Sequence, residues 1–478
     1  MPAFFAPFEY TSADEFTPAD SIPSLRPKPE SRPFRRPEPS RGRCYTAPPP
    51  VSVSHPPFML KSGKRFLDRL GPGLITGAAD DDPSGIATYS QAGAQFGLGM
   101  LWSVFLTTPL MVGIQVVSAR IGRVTGHGIA HNLRIYYSRP LLWFIVSLLL
   151  VANTINVGAD IGAMGEALQL VIGGPSQLYE LMFGVLAILM QLFIPYRYLA
   201  PVLKWLTLSL FAYVAVLLAV DIPWTELIVA TLIPPLELTR DYLMLLVAVL
   251  GTTISPYLFF WQASQEVEEQ RATEGDEPLR DSAKGARDHL RRIKIDTWLG
   301  MTFSNAIAFS IMLTTAVTLH SAGITDIESS AQAAQALKPI AGQFAFVLFA
   351  AGIIGTGLLA IPVLAGSAAY AFAEAMKWPI GHSLEPMKAK GFYGIITLAT
   401  GIGIGIDFAP IDPIKALLWS AMLNGVVAVP IMAVMMRMAV RTDIMGTFTI
   451  TRKLQRLGWF ATAVMAIAVV AMLGSLII

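Results

Sequence analysis

Three consecutive aspartates and a proline interrupt an apolar stretch early in the chain. Asp80, Asp81 and Asp82 directly precede Pro83. Because proline lacks a backbone N–H and disfavours helix in the residue before it, we expect the chain to break here and to free backbone carbonyls. A carboxylate beside freed carbonyls offers only oxygen ligands, and such a set suits a hard cation.

A second break of the same kind occurs further along the chain, where Ser255 precedes Pro256 within another apolar run. Thr252, Thr253 and Ser255 can add hydroxyl oxygens there. Neither broken segment contains Lys, Arg, Met, Cys or His. The two segments together therefore predict a cation site made of oxygen ligands, which favours Mg²⁺ or Mn²⁺ over softer metals.

The cost of placing aspartates inside a membrane indicates which of the three could bind a cation. One ionised carboxylate at the bilayer centre costs about 2.5 to 3.5 kcal/mol, so three must be hydrated, protonated or bound to a cation. Asp82, next to the proline, is the predicted ligand. For Asp80 and Asp81, a role as secondary ligands and the alternative that they face water or cap the following half-helix are equally compatible with the sequence.

The composition indicates that the elements that contain these breaks are membrane-spanning helices. The 478 residues are 54% hydrophobic and only 14% charged, against about 25% charged in soluble domains. Apolar runs of about 20 residues, long enough to cross the hydrocarbon core, recur from Leu70 to Ile478. The chain is therefore predicted to be an all-α integral membrane protein in a lipid bilayer, with no nucleic-acid partner.

The apolar runs and their interruptions predict eleven transmembrane helices. They lie near 70–94, 99–119, 141–163, 181–196, 199–221, 243–265, 297–320, 344–366, 391–408, 413–438 and 457–478. The breaks fall in the first and sixth helices, five spans apart. Two inverted five-helix repeats would produce this arrangement, with the substrate held between the breaks.

The distribution of basic residues predicts the topology. They concentrate in alternate connections, which places the N-terminus in the cytoplasm and the C-terminus outside by the positive-inside rule. The single cysteine, Cys44, excludes an intrachain disulfide. The predicted parts are a disordered, Pro-rich basic cytoplasmic tail (1–62) and a transmembrane domain (63–478). Within that domain, repeat one lies near 66–222, repeat two near 243–438, a cytoplasmic loop near 266–296 and a peripheral helix 11 near 457–478.

The residues around the first break resemble the Nramp family of divalent-metal transporters. The matching segments are Gly71-Pro-Gly-Leu-Ile, Asp82-Pro-Ser-Gly, Ala87-Thr and Gln91-Ala-Gly-Ala, against the family's GPG, DPGN, AT and QAGA. In the sixth helix, Thr252 to Tyr257 lies where the family has A-x-x-M-P-H, and only Pro256 is identical. The resemblance implies a LeuT-like fold with discontinuous helices one and six.

The resemblance also implies a set of metal ligands. The family's metal-binding aspartate falls on Asp82, and its two backbone-carbonyl ligands fall on Ala79 and Thr252. The family's asparagine ligand falls on Gly85, which has no side chain, and its methionine ligand falls on Ser255. The chain is thus similar to the family in the position of its helix breaks and different in the side chains at two ligand positions.

These differences predict a changed cargo. Without the thioether the site loses the group that favours Mn²⁺, Fe²⁺ or Cd²⁺ over Mg²⁺ and Ca²⁺, and Mg²⁺, which keeps several waters, suits a wider cavity. Two family histidines associated with proton movement fall on Tyr257 and Gln262, which puts proton coupling in doubt. The pattern resembles the Nramp-related magnesium transporters, so Mg²⁺ and/or Mn²⁺ is the predicted substrate, and no cofactor is expected.

Polar residues in other predicted spans are further candidates. Asp160, in the third helix, is a secondary functional candidate because acids within membrane spans are usually functional. Asn153 and Asn156 in the same helix are interpreted as packing hydrogen bonds. Asn424, in the tenth helix, is a weaker candidate for the site than for packing. Glu374, just after the eighth predicted span, is interpreted as interfacial.

Two other functions are compatible with the sequence. A sodium-coupled carrier of an amino acid or similar solute would share the fold, although three aspartates would repel a carboxylate substrate. A membrane sensor would bind the cation without moving it, and the basic tail supports that alternative. The chain shows no nucleophile–base constellation and no nucleotide-binding loop, so the sequence predicts no enzyme.

Overall fold

The computed structural model describes residues 72–194, 207–382, 384–407 and 412–477, and every regular element within these ranges is a helix. The α-helices are α1 (Pro72–Asp80), α2 (Pro83–Phe96), α3 (Leu101–Thr125), α4 (Ile129–Tyr136), α5 (Arg139–Ile172), α6 (Ser176–Phe193), α7 (Phe211–Leu217), α8 (Trp224–Leu232) and α9 (Arg240–Thr253). The remaining ones are α10 (Pro256–Ala272), α11 (Ala286–Thr318), α12 (Ser330–Ala334), α13 (Lys338–Ala341), α14 (Ala345–Met376), α15 (Lys390–Asp407), α16 (Pro413–Ala439), α17 (Thr442–Met445) and α18 (Arg452–Ser475). The predicted tail, residues 1–62, lies outside the described residues.

Both predicted helix breaks are present, and both have the same local cause. α1 ends at Asp80 and α2 begins at Pro83, while α9 ends at Thr253 and α10 begins at Pro256. A proline at the first helical position costs nothing, because the N–H it lacks would have no partner there. The residue before each proline is extended, with φ −71° and ψ 171° at Asp82 and φ −78° and ψ 132° at Ser255.

The membrane class is confirmed by the length and composition of the helices. Eight helical stretches in the described residues are long and apolar enough to cross a membrane. They are Pro83–Thr125, Arg139–Ile172, Ser176–Phe193, Arg240–Ala272, Ala286–Ala322, Ser330–Met376, Pro413–Ala439 and Arg452–Ser475. The fifth predicted span, near 199–221, begins outside the described residues, so the count of eleven stays a prediction.

Two helices extend beyond their predicted ends. α5 has 34 residues and α14 has 32, against predicted spans near 141–163 and 344–366. The extension of α14 places Glu374 inside the helix, where it is 4% exposed. Glu374 is thus buried in protein, and its predicted position at the membrane interface stays a prediction. Its position after an apolar run indicated a helix end, but the carboxylate is buried because backbone amides before and within α4 bind it.

Two glycines allow helices beside the breaks to pack at backbone contact. A Cβ atom at Gly77 in α1 would lie 2.4 Å from the Gly300 carbonyl of α11, and one at Gly251 in α9 would lie 2.2 Å from the Ala421 carbonyl oxygen of α16. Small residues at such contacts are typical of helix pairs in membranes. The half-helix that leads into each break is thus tightly held.

Candidate metal site

The Asp82 carboxylate lies where the two broken helices meet α5. Its Oδ1 atom accepts hydrogen bonds from Ser84 Oγ at 2.7 Å and from the Gly85 amide at 2.8 Å, so it caps the start of α2. Its Oδ2 atom accepts from Asn156 Nδ2 at 3.1 Å and from the Tyr257 hydroxyl at 3.3 Å. Asp82 is 1% exposed, so these protein groups are its environment.

The Tyr257 hydroxyl joins the two breaks. Tyr257 lies in the first turn of α10, and its hydroxyl donates to the Ala79 carbonyl oxygen at 3.1 Å. The same hydroxyl is 3.3 Å from Asp82 Oδ2. A phenol has one proton, so two of the groups predicted to bind the ion share it. Tyr257, a secondary candidate from the sequence, therefore directly contacts the predicted ligands.

The second break contributes a carbonyl and a hydroxyl that lie together. Ser255 Oγ is 2.7 Å from the Thr252 carbonyl oxygen and 2.8 Å from that of Gly251. Gly85 lies across from Thr252, because a Cβ atom at Gly85 would come within 3.2 Å of Thr252 Oγ1. The five residues predicted as ligands thus come from the ends of α1, α2 and α9 and the two breaks.

Asp80 and Asp81 have a partner that the sequence did not indicate. The Ser304 hydroxyl of α11 is 2.7 Å from Asp80 Oδ2 and 3.0 Å from Asp81 Oδ1. The two aspartates are 1% and 3% exposed. Neither faces open water, and Asp82 is the residue that caps α2, so the alternative that Asp80 and Asp81 face water or cap the half-helix is wrong, while their role as secondary ligands stays a prediction. The chain turns at Asp81 before α2 begins, and this turn directs the two side chains toward α11.

The remaining candidates, Asp160, Thr253 and Asn424, are all buried. Asp160 is buried in α5 and is near enough to Tyr257 to interact with it electrostatically. The Thr253 hydroxyl is bonded to Tyr89 at 3.0 Å and to the Val249 carbonyl at 2.6 Å, which is a structural role. Asn424 is buried in α16, and its amide forms no hydrogen bond within the described residues.

Asn156 is the functional candidate that sequence reasoning missed. It was interpreted as a packing residue, yet it contacts Asp82. A signal was present, because Asn156 precedes Asp160 by four residues and both must lie on one face of α5. Asn153 matches its packing interpretation, since it donates at 2.8 Å to the Leu364 carbonyl and to Ser367 Oγ.

The groups around Asp82 offer oxygen ligands from one carboxylate, carbonyls and hydroxyls. Within the described ranges, no three His, Cys, Asp or Glu side chains are grouped so that they could hold a metal. A cation bound here would therefore depend on backbone carbonyls and hydroxyls as well as on Asp82. This arrangement is weaker than a chelating cluster, and it is compatible with an ion that must leave again.

Two discontinuous helices that meet at a buried aspartate are typical of one class of fold, that of membrane transporters with broken helices. The fold agrees with this class. The structure is similar to the crystal structure of a manganese transporter from Eremococcus coleocola, with a TM-score of 0.66 at 15% identity, covering 89% of this chain and 91% of that one. It is also similar to Mhp1, a nucleobase-cation-symport-1 family transporter, with a TM-score of 0.52 at 13% identity, covering 85% and 92%.

The family model "Natural resistance-associated macrophage protein-like" matches residues 73–475, and the chain belongs to this Nramp family. One relative is the "Divalent metal cation transporter MntH" of Caldanaerobacter subterraneus subsp. tengcongensis. It is 25% identical over 373 residues, which are 75% of this chain and 81% of the relative. The resemblance around the two breaks is thus confirmed at the level of the family.

Proposed function

We propose that this protein transports Mg²⁺ and/or Mn²⁺ across a membrane by alternating access, with Asp82, the Ala79 and Thr252 carbonyls and the Ser255 hydroxyl as the ion's ligands. The observation that carries the proposal is the buried Asp82 carboxylate at the first break, which the Tyr257 hydroxyl beside the second break links to the Ala79 carbonyl oxygen. The name of the related divalent metal cation transporter supports the same cargo class.

The two oxygens of Asp82 have different tasks in this proposal. Oδ1 has the shorter contacts, at 2.7 and 2.8 Å, and holds the start of α2. Oδ2 has longer contacts, at 3.1 and 3.3 Å, with Asn156 and Tyr257. Long hydrogen bonds are the easier ones to exchange. An arriving cation therefore binds at Oδ2, while Oδ1 keeps the half-helix in place.

The Tyr257 hydroxyl responds directly to an ion at Oδ2. Its proton lies between the Ala79 carbonyl oxygen and Asp82, which are two of the proposed ligands. A cation at this position repels that proton and attracts the oxygen, so the hydroxyl rotates and offers a lone pair to the ion or to a water on it. Mg²⁺ dehydrates reluctantly, and such a water-mediated contact suits it.

The ligand types favour Mg²⁺ and Mn²⁺. Hard cations prefer oxygen ligands, whereas thioether and imidazole ligands select softer metals. The position where the family has a ligating methionine is Ser255, and no histidine lies in either broken segment. We therefore propose that transport proceeds without coupled proton movement through these segments.

Alternating access follows from the break geometry. α1 with α2 and α9 with α10 would rock around the site while the ion stays between them. The extended residues Asp82 and Ser255 are the points where each helix pair can change its angle without losing a helical hydrogen bond. The helices around them would form the fixed frame.

Uptake by purified protein in liposomes tests the proposal. We expect the parent protein to take up Mg²⁺ and Mn²⁺ with or without a pH gradient, and Asp82→Ala to take up neither. The matched control is Asp443→Ala, which removes an exposed carboxylate from α17. Uptake of neither ion by the parent, or equal uptake by the parent and Asp82→Ala, would refute the assignment.

Two additions to this assay separate the alternatives. An amino-acid carrier of the same fold would show amino-acid uptake that responds to a sodium gradient, and amino acids would compete with the metal. A sensor would bind the ion in a binding assay and give no flux into the liposomes. We expect metal flux that amino acids do not inhibit.

A further inference from the structure

A charged cavity lies on the face of the molecule that the positive-inside rule predicts to be cytoplasmic. Its volume is about 420 Å³, and it lies where α4, the end of α10 and the end of α14 meet. Its charged lining residues are Arg134, Arg271, Lys377 and Glu374. Three cationic side chains thus face one carboxylate, and none of these residues belongs to the candidate metal site.

The Glu374 carboxylate already accepts two hydrogen bonds from backbone amides. Glu374 Oε1 accepts from the Gly128 amide and Oε2 from the His131 amide, each at 3.0 Å. These contacts cap the start of α4, and Glu374 is buried. Its charge is therefore largely compensated by backbone amides and by the positive end of that helix. One such carboxylate cannot neutralise the three cations of the lining.

The three cations form no ion pair in the described part of the chain. None of the ion pairs there includes Arg134, Arg271 or Lys377. Arg134 contacts uncharged atoms instead, namely the Glu374 carbonyl oxygen and His131 Nδ1, the latter at 3.2 Å. The cavity therefore has a surplus of positive charge.

Two histidines that line the cavity have pKa values that the surplus of positive charge helps to lower. The rings of His127 and His131 stack with their centroids 3.8 Å apart. Burial, together with His127, Arg134 and Arg271, lowers the pKa of His131 to about 4. Burial and the same two arginines also lower the pKa of His127, and the nearby Asp281 only partly opposes this effect. His131 is therefore neutral near pH 7, and the arginines and the lysine carry the charge.

Aromatic side chains place the cavity at the level of lipid head groups. Trp378 lines the cavity and is 36% exposed. Its ring centroid is 5.7 Å from that of Phe372, which is 5.6 Å from that of Trp143, a residue that is 37% exposed. Partly exposed tryptophans are typical of the membrane–water interface. The surplus charge is thus presented where phospholipid phosphates lie.

We propose that this cavity binds the phosphate group of an anionic phospholipid such as phosphatidylglycerol. Arg271 and Lys377 are exposed and would contact the phosphate at the mouth, while the half-buried Arg134 supplies charge from the wall. Basic pockets between helices on the cytoplasmic side suit anionic head groups, and each basic residue contributes to the attraction. In phosphatidylcholine the lipid's own ammonium offsets the phosphate, so the cavity discriminates between the two lipids.

Native mass spectrometry of the purified, full-length protein with added lipid tests this proposal. We expect the parent to retain phosphatidylglycerol in preference to phosphatidylcholine. In the double variant Arg271→Gln/Lys377→Gln, we expect the affinity for phosphatidylglycerol to fall by about tenfold or more. The matched control is Lys284→Gln/Arg287→Gln, which removes two exposed cations from the same predicted face outside the cavity and should bind like the parent.

Three further observations make the result decisive. The charge-conserving variant Lys377→Arg should retain phosphatidylglycerol like the parent. If the double variant does not fold, the single variants Lys377→Gln and Lys377→Arg are compared instead, and Lys377→Gln should retain less of the lipid. Equal phosphatidylglycerol retention by the parent and the cavity variants would overturn the proposal. So would displacement of the lipid by millimolar inorganic phosphate, because the cavity would then be a site for soluble anions.

Discussion

At the scale of residues, Asp82 combines a structural and a chemical role. Its Oδ1 caps α2 and its Oδ2 faces Asn156 and Tyr257. The sequence predicted Asp82 because a carboxylate before a proline in an apolar span is costly without a function. The sequence could not predict Ser304 as the partner of Asp80 and Asp81, since more than two hundred residues of chain separate them.

The ligand at position 255 determines which metals the site accepts in our account. We expect Ser255→Met to gain Cd²⁺ uptake and to lose Mg²⁺ uptake by about tenfold, because a thioether suits soft metals and cannot hold an ion-bound water as a hydroxyl does. Competition between Mg²⁺ and Cd²⁺ in proteoliposomes measures this change.

The control for position 255 is Ser255→Ala, which removes the hydroxyl without adding sulfur. It should weaken Mg²⁺ uptake and give no Cd²⁺ uptake. If Ser255→Met transports the same ions as Ser255→Ala, then the side chain at 255 does not reach the ion.

At the scale of elements, each break uses the same device, a proline at the first helical position after an extended residue. That device is local, and the sequence therefore predicted both breaks to within a few residues. The ends of α5 and α14 were predicted less well. α14 continues past its apolar run because Glu374 is buried there and accepts hydrogen bonds from the Gly128 and His131 amides. The last turn of α5 is exposed, with Ile172 63% accessible, and nothing in the structure explains its length.

The contact between α9 and α16 gives a prediction at this scale. Gly251→Ala would place a methyl group 2.2 Å from the Ala421 carbonyl oxygen, so the helices must separate beside the second break. Overpacking of this kind costs typically about 1 to 3 kcal/mol. We expect a lower melting temperature of the purified protein and reduced Mg²⁺ uptake.

Gly401→Ala in α15 is the matched control, because a Cβ atom at Gly401 meets nothing within 4 Å. Alanine is the better helix former, so this variant should melt at or slightly above the parental temperature. A Gly251→Ala variant with a parental melting temperature would show that the two helices are not packed as described.

At the scale of the whole molecule, composition alone predicted an all-α membrane protein, because apolar runs of sufficient length leave little choice of class. The motif around the first break predicted the family that the family model confirms. The count of eleven spans and the orientation of the termini depend on loop charges and on residues near 195–206, and they stay predictions.

Thiol labelling in intact cells tests the predicted topology. Cys44 is the only cysteine, and it lies in the tail that is predicted to be cytoplasmic. It should therefore react with a membrane-impermeant maleimide only after the cells are permeabilised. In a Cys44→Ser background, Gly474→Cys near the end of α18 should react in intact cells, and the added side chain meets nothing within 4 Å there. Labelling of both positions from the same side would require an even number of spans.

The central claim is that the charge of Asp82 binds a transported Mg²⁺ or Mn²⁺ ion, and Asp82→Asn tests it most directly. Asparagine is also a good helix cap, so the variant removes the charge and keeps the start of α2. In proteoliposomes we expect a parental melting temperature together with loss of Mg²⁺ and Mn²⁺ uptake. Uptake of either ion by Asp82→Asn at the parental rate would contradict the account.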